Sequence, residues 1–312
     1  MPDQSSNTSS KSRFVSGFVS ILGRPNAGKS TLLNALVGAK IAIVASKPQT
    51  TRTLIQGVVT LPDAQVVFMD TPGIHKPDTL FNRRMMETIH NALSERDLLI
   101  YVADASQPVT VQDEEAVNIL GGTSTPVLLV LNKIDRVKEK AQLLPLIERY
   151  QTLFAFAEYV PVSALKNEGL DRLRAAILER LPEGPAYFPP DYITDQPERF
   201  IAAELIREKI LAETRQEVPH SVAVLVDRWE ETPRVTRIAA SICVERDGQK
   251  AIIIGARGAM LKQVGTLARL EMERLFGRKI FLELFVRVQP RWRENQGFLN
   301  DLDWHSMISK SE

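Results

Sequence analysis

The segment Gly23-Arg-Pro-Asn-Ala-Gly-Lys-Ser30 fits G-x-x-x-x-G-K-[ST] and lies between an apolar run (FVSIL) and a helix-forming stretch from Thr31 to Val37. That placement narrows the folds open to this chain. A loop of this kind needs a strand to deliver it to a helix N-terminus. Its glycines let backbone N–H groups close around phosphate oxygens, and the helix end adds partial positive charge. The stretch expected to face a nucleotide is Gly23, Arg24, Pro25, Asn26, Ala27, Gly28, Lys29, Ser30 and Thr31. Lys29 is expected at the β- and γ-phosphates, and Ser30 on Mg²⁺. The bland alternative, a glycine-rich turn without a ligand, does not account for the strand before it and the helix after it.

The surrounding periodicity agrees. Strands are expected near 14–22, 53–60, 65–69, 97–103, 126–131 and 158–162, and helices near 29–37, 80–94, 111–120, 140–152 and 168–180. The runs at 97–103 and 126–131 are apolar almost throughout, as in strands buried on both faces of a mostly parallel sheet. This is a doubly wound α/β pattern. It stops at LPEGPAYFPPDYITDQPE, where Pro182, Pro185, Pro189, Pro190 and Pro197 fit neither a helix interior nor a central strand. The division expected is a Ser-rich disordered tail at 1–13, an α/β domain at 14–181, a linker at 182–197, an α+β domain at 198–290 and a C-terminal tail at 291–312. The N-terminal tail has no apolar core and does not read as a signal peptide. The lone Cys243 fits a reducing compartment, and the longest apolar runs are of strand length, so any membrane contact is expected to be peripheral.

Later signatures select the base. Asp70-Thr71-Pro72-Gly73 closes the strand QVVFM, placing Asp70 to hold Mg²⁺ and the Gly73 N–H to meet a γ-phosphate, with Ile74 next to them. Asn132-Lys133-Ile134-Asp135 closes the strand VLLVL. Asp135 can accept two hydrogen bonds from guanine N1 and N2, a pair adenine does not supply. Asn132 is expected at guanine O6 or N7, with the stem of Lys133 over the base. Ser163-Ala164-Leu165 follows the last strand, where the Ala164 N–H is expected at guanine O6. A base site of such polar pairs discriminates by roughly 10⁴-fold or more. Any one string alone also occurs as a surface turn; the ordered set, each after a strand, points to guanine.

The order of these strings resembles the translation-factor-like GTPases over roughly residues 14–180. The resemblance implies that Gln49-Thr-Thr-Arg-Thr53 is the second signature, within a first switch segment at about 40–53 (the second at about 71–79), with Thr51 touching Mg²⁺ and the γ-phosphate and Thr50 the alternative. Ras-like GTPases orient the attacking water with a Gln where this chain has Ile74, whose side chain has no hydrogen-bonding group. His75 is a candidate for that role, against the plainer reading of a solvated loop histidine. In similar GTPases an Asn at the position of Asn26 can ligate K⁺ beside the phosphates, so the catalytic set read here is Lys29, Thr51, Gly73 and Asn26.

The second domain is basic. Residues 234–293 hold thirteen Lys or Arg against five Asp or Glu, a net +8 hidden within a whole-chain net charge of +1. A helix is expected at 198–213, strands near 220–229 and 234–245, then the G-x-x-G of Gly255-Ala256-Arg257-Gly258, a helix to about 276 and a strand at 280–288. The order α-β-β-(GxxG)-α-β fits a type II KH domain, whose glycine loop clamps roughly four nucleotides of single-stranded RNA. Ile253, Ile254, Gly255, Ala256, Arg257, Gly258 and Lys262 are the expected RNA contacts, with Leu261 and Val264 completing an apolar wall for bases.

A GTPase followed by a KH domain resembles the Era family of bacterial ribosome-assembly GTPases over nearly the full length. GRPNAGKSTLLNAL, PQTTR, DTPGIH, NKID, SALK, IIIGARGAMLKQVGTLAR and RWRENQGFLNDL carry the match. The resemblance implies GTP and GDP as ligands with Mg²⁺, the 3′ end of 16S rRNA and the small ribosomal subunit as partners, and a cytoplasmic location with some peripheral inner-membrane association. A monomer that does not bind DNA is expected. Two rivals stand beside this reading: a membrane-surface signalling GTPase, and an RNA-binding scaffold in which nucleotide is structural.

Overall fold

The computed structural model describes residues 13–45, 47, 50–74, 78–93, 96–214 and 221–304. The expected tail at 1–13 therefore lies almost wholly outside the described residues, as does the chain beyond Trp304.

The first domain runs β1 (Val15–Gly23), α1 (Lys29–Val37), β2 (Ile55–Leu61), β3 (Ala64–Asp70), α2 (Leu80–Leu93), β4 (Leu98–Asp104), α3 (Val111–Asn118), β5 (Val127–Asn132), α4 (Leu143–Gln151), β6 (Glu158–Pro161) and α5 (Leu170–Leu178). Its six-stranded sheet has the order β2-β3-β1-β4-β5-β6, with only β2 antiparallel to its neighbour. The sheet carries an apolar cluster on each face. One joins Ile21, Leu32, Ile100 and Val130 under α1 and α5; the other joins Leu22, Ile89, Leu99 and Leu131 under α2, α3 and α4. This two-sided burial is why β4 and β5 are continuous apolar runs. Crossovers from β1 and β5 put both strand ends, and the loops after them, at the carboxyl edge of the sheet, where ligands bind in open α/β folds.

The proline-rich segment is held along the antiparallel edge. Gln65 accepts the Tyr187 and Phe188 N–H groups at 2.6 and 2.9 Å and donates to the Phe188 carbonyl at 2.8 Å. The Val58 N–H donates to the Ile193 carbonyl at 2.8 Å, and Phe188 stacks on Tyr192 with centroids 4.7 Å apart. This docking reaches Thr194, whose hydroxyl donates to the Gln56 carbonyl at 2.7 Å, shortly before the second domain starts at Glu198.

The second domain runs α6 (Glu198–Glu213), β7 (Ala223–Glu231), β8 (Thr236–Val244), α7 (Asp247–Ile254), α8 (Ala259–Phe276) and β9 (Ile280–Val288), followed by α9 (Gln296–Leu302). β7 and β8 are antiparallel, β8 and β9 parallel, and one face of the three-stranded sheet packs on α6 and α8 around Leu205, Ile242, Val264 and Met272. The order expected from sequence lacked α7. No element is expected over 246–254; there Gln249 accepts the Glu245 and Arg246 N–H groups at 3.1 Å each and caps a helix that leads directly into the glycine loop. The segment read as a tail from 291 also folds on the protein. Asn295 caps α9 through the Phe298 N–H at 3.0 Å, and Trp292 is buried, with its indole N–H on the Ser221 carbonyl at 2.9 Å and its ring 5.5 Å from Phe81 of α2.

Candidate functional site

Lys29, Asn26, Thr51 and Gly73 line one cleft between the Gly23–Ser30 loop and the first switch segment. The loop takes its shape from three left-handed positions, Gly23 (φ 143), Asn26 (φ 63) and Gly28 (φ 98). Gly28 is required twice: a Cβ there would disfavour this φ and would stand 2.2 Å from Asn132 Nδ2. Lys29 Nζ donates to the Gly23 and Arg24 carbonyls at 3.0 Å each. Burial lowers its pKa to about 8, against the opposing charge of Asp70. Thr31 is half-buried in the first turn of α1.

Three oxygens converge beside it. Ser30 Oγ lies 2.6 Å from Thr51 Oγ1 and donates to Asp70 Oδ2 at 2.8 Å; Thr51 Oγ1 donates to the same oxygen at 3.3 Å. Asp70 is fully buried, and burial pushes its pKa up to about 6, with Lys29, Ser30 and Thr51 opposing. Its Oδ1 is a buried acceptor with no hydrogen-bond partner among the described residues. Hard oxygen donors around an under-satisfied buried carboxylate fit Mg²⁺. The geometry also separates two adjacent candidates. The Thr50 hydroxyl turns away to the Lys47 and Ala45 carbonyls at 2.6 and 3.3 Å, while Thr51 faces Asp70.

The Asp70–Gly73 loop is tied to β1. The Thr71 hydroxyl donates to the Ile21 carbonyl at 2.9 Å, Pro72 is buried, and the Ile74 N–H reaches the Gly23 carbonyl at 3.4 Å. Gly73 presses on Pro25; a Cβ there would meet the Pro25 ring and Cα at 2.9 Å. The Ile74 side chain packs against the apolar cluster under α2 and α3. His75 and Gln49 lie outside the described residues.

At the base end the groups expected to meet guanine bond one another. Asn132, only 2% exposed, donates to the Ala27 carbonyl at 2.9 Å and accepts the Ala164 N–H at 3.0 Å. The Ala164 N–H expected at guanine O6 is thus engaged by Asn132, which brackets the phosphate loop to the Ser163–Leu165 loop. Lys133 Nζ bonds the Asn26 carbonyl at 2.5 Å and Asp104 at 2.6 Å, an ion pair that sequence reading missed. Ser163 Oγ donates to Asp135 Oδ1 at 2.6 Å, orienting an exposed carboxylate. The Ile134 N–H is held by the Val162 carbonyl at 3.2 Å, and Leu165 is exposed. Arg24 points away from the cleft, to Thr110, Gln112 and Asp113 at the start of α3.

In the second domain, Gly255 (φ 70), Arg257 (φ 52) and Gly258 (φ 80) turn the chain from α7 into α8, whose N-terminus opens on the loop. Ala256, Arg257 and Lys262 are exposed, and neither cation has an ion-pair partner among the described residues. Ile254 and Leu261 are half-buried, but Ile253 and Val264 are 1% and 0% exposed within the core. Those two, expected as a wall for bases, hold the domain together instead, because the helix through 247–254 turns them inward.

The second domain also clasps the first switch segment, another feature missed from sequence. Glu208 of α6 accepts the Val44 N–H at 2.9 Å and pairs with Lys40 at 2.7 Å; Arg207 bonds the Thr50 carbonyl and pairs with Glu204. Arg52 donates to the Val222 carbonyl at 2.6 Å, and its guanidinium lies 5.3 and 5.6 Å from the Phe81 and Trp292 ring centres.

Residues 18–133 match the family described as 50S ribosome-binding GTPase, and residues 217–293 match the KH domain. GTPase Era of Geobacter metallireducens is 50% identical over 293 residues, covering 93% of this chain and 98% of its own; that of Syntrophus aciditrophicus is 47% identical over 305 residues, covering 97% and 99%. A crystal structure of an Aquifex aeolicus Era variant bound to GDP·AlF₄⁻ matches with TM-score 0.90 at 40% identity, over 93% of this chain and 99% of that one. A structure of Era in complex with MgGDPNP and nucleotides 1506–1542 of 16S ribosomal RNA gives the same TM-score, identity and coverage. With half of its residues identical over nearly the whole length of both chains, this chain belongs to the GTPase Era family.

Proposed function

We propose that this protein hydrolyses GTP and uses its nucleotide state to control RNA binding by its KH domain, with the 3′ end of 16S rRNA as target during small-subunit assembly. One observation carries the coupling: Thr51 sits in the Ser30–Asp70 oxygen cluster while the neighbouring Thr50 carbonyl is held by Arg207 of the second domain. Rearranging one residue for the nucleotide displaces the next from the RNA-binding domain. The RNA assignment follows the relative captured with 16S nucleotides.

In this reading Lys29 and the N–H groups of residues 23–31 bind phosphates, Asp135 and the Asn132 amide read guanine, and the Gly73 N–H meets the γ-phosphate. Ser30, Thr51 and Asp70 would hold Mg²⁺, which would neutralise phosphate charge when bound. Ile74 orients no water, so added positive charge is needed at the transition state; K⁺ at Asn26 supplies it in this proposal, and a turnover rate unchanged on replacing K⁺ by Na⁺ refutes that part. Arg257, Lys262 and the backbone from Gly255 to Gly258 grip the RNA. A cytoplasmic monomer is inferred, with the basic domain giving any peripheral contact to anionic membrane; among the described residues no helix is long and apolar enough to cross one.

The test is filter binding of a 16S 3′-end oligonucleotide and a scrambled control, each with GDP and with a non-hydrolysable GTP analogue. Selective binding that strengthens with the analogue is expected. Equal affinity in both nucleotide states refutes the coupling, and equal affinity for both RNAs refutes the 16S target.

A further inference from the structure

A cavity of about 290 Å³ lies between the domains, behind the switch segments, and shares no lining residue with the cleft at the phosphates. Arg52 of the first switch segment, Arg84 and Thr88 of α2, Arg207 of α6 and Leu299 of α9 all face it. Arg52 and Arg207 also hold the first switch segment against the second domain, but nothing in the nucleotide or RNA roles proposed above occupies the volume they enclose.

The walls have two characters. Met85, Val224 and Leu299 give apolar surface that suits a hydrocarbon or aromatic body. Around them stand four guanidinium groups, Arg52, Arg84, Arg96 and Arg207, against two carboxylates, Glu204 and Asp303. Arg84 donates to a neutral acceptor, Asn300 Oδ1, at 2.8 Å. Arg52 lies within the interface, and burial, then the charge of Arg207, hold its guanidinium well below the usual range; Glu204 opposes this and Arg293 adds to it. An anion placed here relieves that repulsion. Planar guanidinium groups bind carboxylate, sulfonate or phosphate oxygens in pairs. The size falls at the small end of ligand pockets, which begin at roughly 300 Å³ and favour domain interfaces.

We propose that this cavity binds a small amphipathic anion, an apolar body with one acidic head, and that its occupancy is coupled to the nucleotide. The coupling follows from the walls: one belongs to the segment that carries Thr51, one to the helix after the Asp70–Gly73 loop, and one to the KH domain. A ligand touching all three binds best in the nucleotide state that brings them together, and by linkage it shifts nucleotide affinity by the same factor.

The probe is anilinonaphthalene sulfonate, titrated by fluorescence into the full chain with saturating Mg·GDP filling the nucleotide site. One saturable site is expected, displaced by decanoate and not by decanol, which has the same apolar body without the charge. Thr88→Trp fills the cavity and should abolish the saturable signal. Arg84→Gln removes a cation, keeps a donor for Asn300 and should weaken binding about tenfold, the scale of one charged hydrogen bond. GDP retention shows that each variant is folded, and Arg84→Gln carries the test should Thr88→Trp fail to fold. Replacing GDP with a GTP analogue should change probe affinity at least about fivefold. No saturable phase, equal displacement by decanol, or wild-type binding in either folded variant overturns the site; equal probe affinity in the two nucleotide states overturns the coupling.

Discussion

Asn132→Ala should destabilise the protein with no nucleotide present, because the structure makes Asn132 a bracket between two loops, apart from its proposed part in reading the base. Its side chain satisfies the Ala27 carbonyl at 2.9 Å and the Ala164 N–H at 3.0 Å, and Asn132, Ala27 and Ala164 are 2%, 3% and 4% exposed. Truncation leaves one buried acceptor and one buried donor without partners. Each costs about 1–3 kcal/mol, less whatever water recovers, so the change should cost about 2–4 kcal/mol. For a domain of this size each kcal/mol lowers Tm by roughly 2–4 °C, giving a fall of about 5–15 °C. Differential scanning calorimetry on nucleotide-free protein, stripped with EDTA and phosphatase, reads this directly. Asn132→Asp sharpens the test: it keeps an acceptor for Ala164 but sets two oxygens against each other at Ala27, so it should be destabilised as well. A nucleotide-free Asn132→Ala protein melting within about 2 °C of wild type, with GTP affinity lost, would refute the bracket and leave only the base contact.

Asp70 has a folded pKa raised to about 6 from 3.8. A carboxyl raised in this way costs stability above its folded pKa, and that cost is relieved as pH falls through it. Nucleotide-free protein should therefore gain stability between about pH 6 and 4 from this group, while Mg²⁺-dependent GTP binding weakens over the same window. Asp70→Asn should raise the nucleotide-free Tm and abolish Mg²⁺-dependent binding; a fall in Tm contradicts the sign. Thr51→Ala should slow GTP hydrolysis by roughly 100-fold, the scale of losing one contact to developing charge, whereas Thr50→Ala, whose hydroxyl faces loop carbonyls, should stay within about threefold. Single-turnover kinetics separate the two, and the reverse order would exchange their roles. Arg257→Ala and Lys262→Ala should each weaken cognate and scrambled RNA alike and reduce the slope of log affinity against log salt by about 0.7.

The parts legible in the sequence are those written in local periodicity or fixed spacing. β4 and β5 are unbroken apolar runs because both faces are covered, and each nucleotide string follows a strand that delivers it. α7 is not legible because its eight residues carry too little periodicity to mark a helix, and its cap comes from Gln249 reaching back to the Glu245 and Arg246 N–H groups. Ile253 and Ile254 are both expected at the wall for bases from their place beside the glycine loop alone; the helix through 247–254 turns Ile253 into the core and leaves Ile254 half-buried. Asn132 was read only for the base, since nothing local says that residues 27 and 164 converge on its two ends. α6 did carry a signal that went unread. Arg207 and Glu208, 1% and 5% exposed, interrupt an apolar helix that is covered on more than one side. Charged residues inside such a helix indicate a second partner, and here the partner is the first switch segment.

That segment belongs to two cores at once. Ile43 packs in the apolar cluster of the KH domain, Val44 is held through its N–H by Glu208, and Thr51 faces Asp70 at the nucleotide. A loop that moves freely with the nucleotide cannot also be a permanent part of another domain's core. Either the segment stays and the nucleotide cluster is strained to fit, or it moves and the KH domain loses part of its packing. The docking of residues 182–197 along the sheet edge favours the second, because it fixes the N-terminal approach to α6 while leaving the contacts from Lys40 to Arg52 to release. In the proposed coupling the nucleotide therefore acts by supplying or withdrawing a small piece of the KH domain's own core, rather than by pulling on a flexible tether.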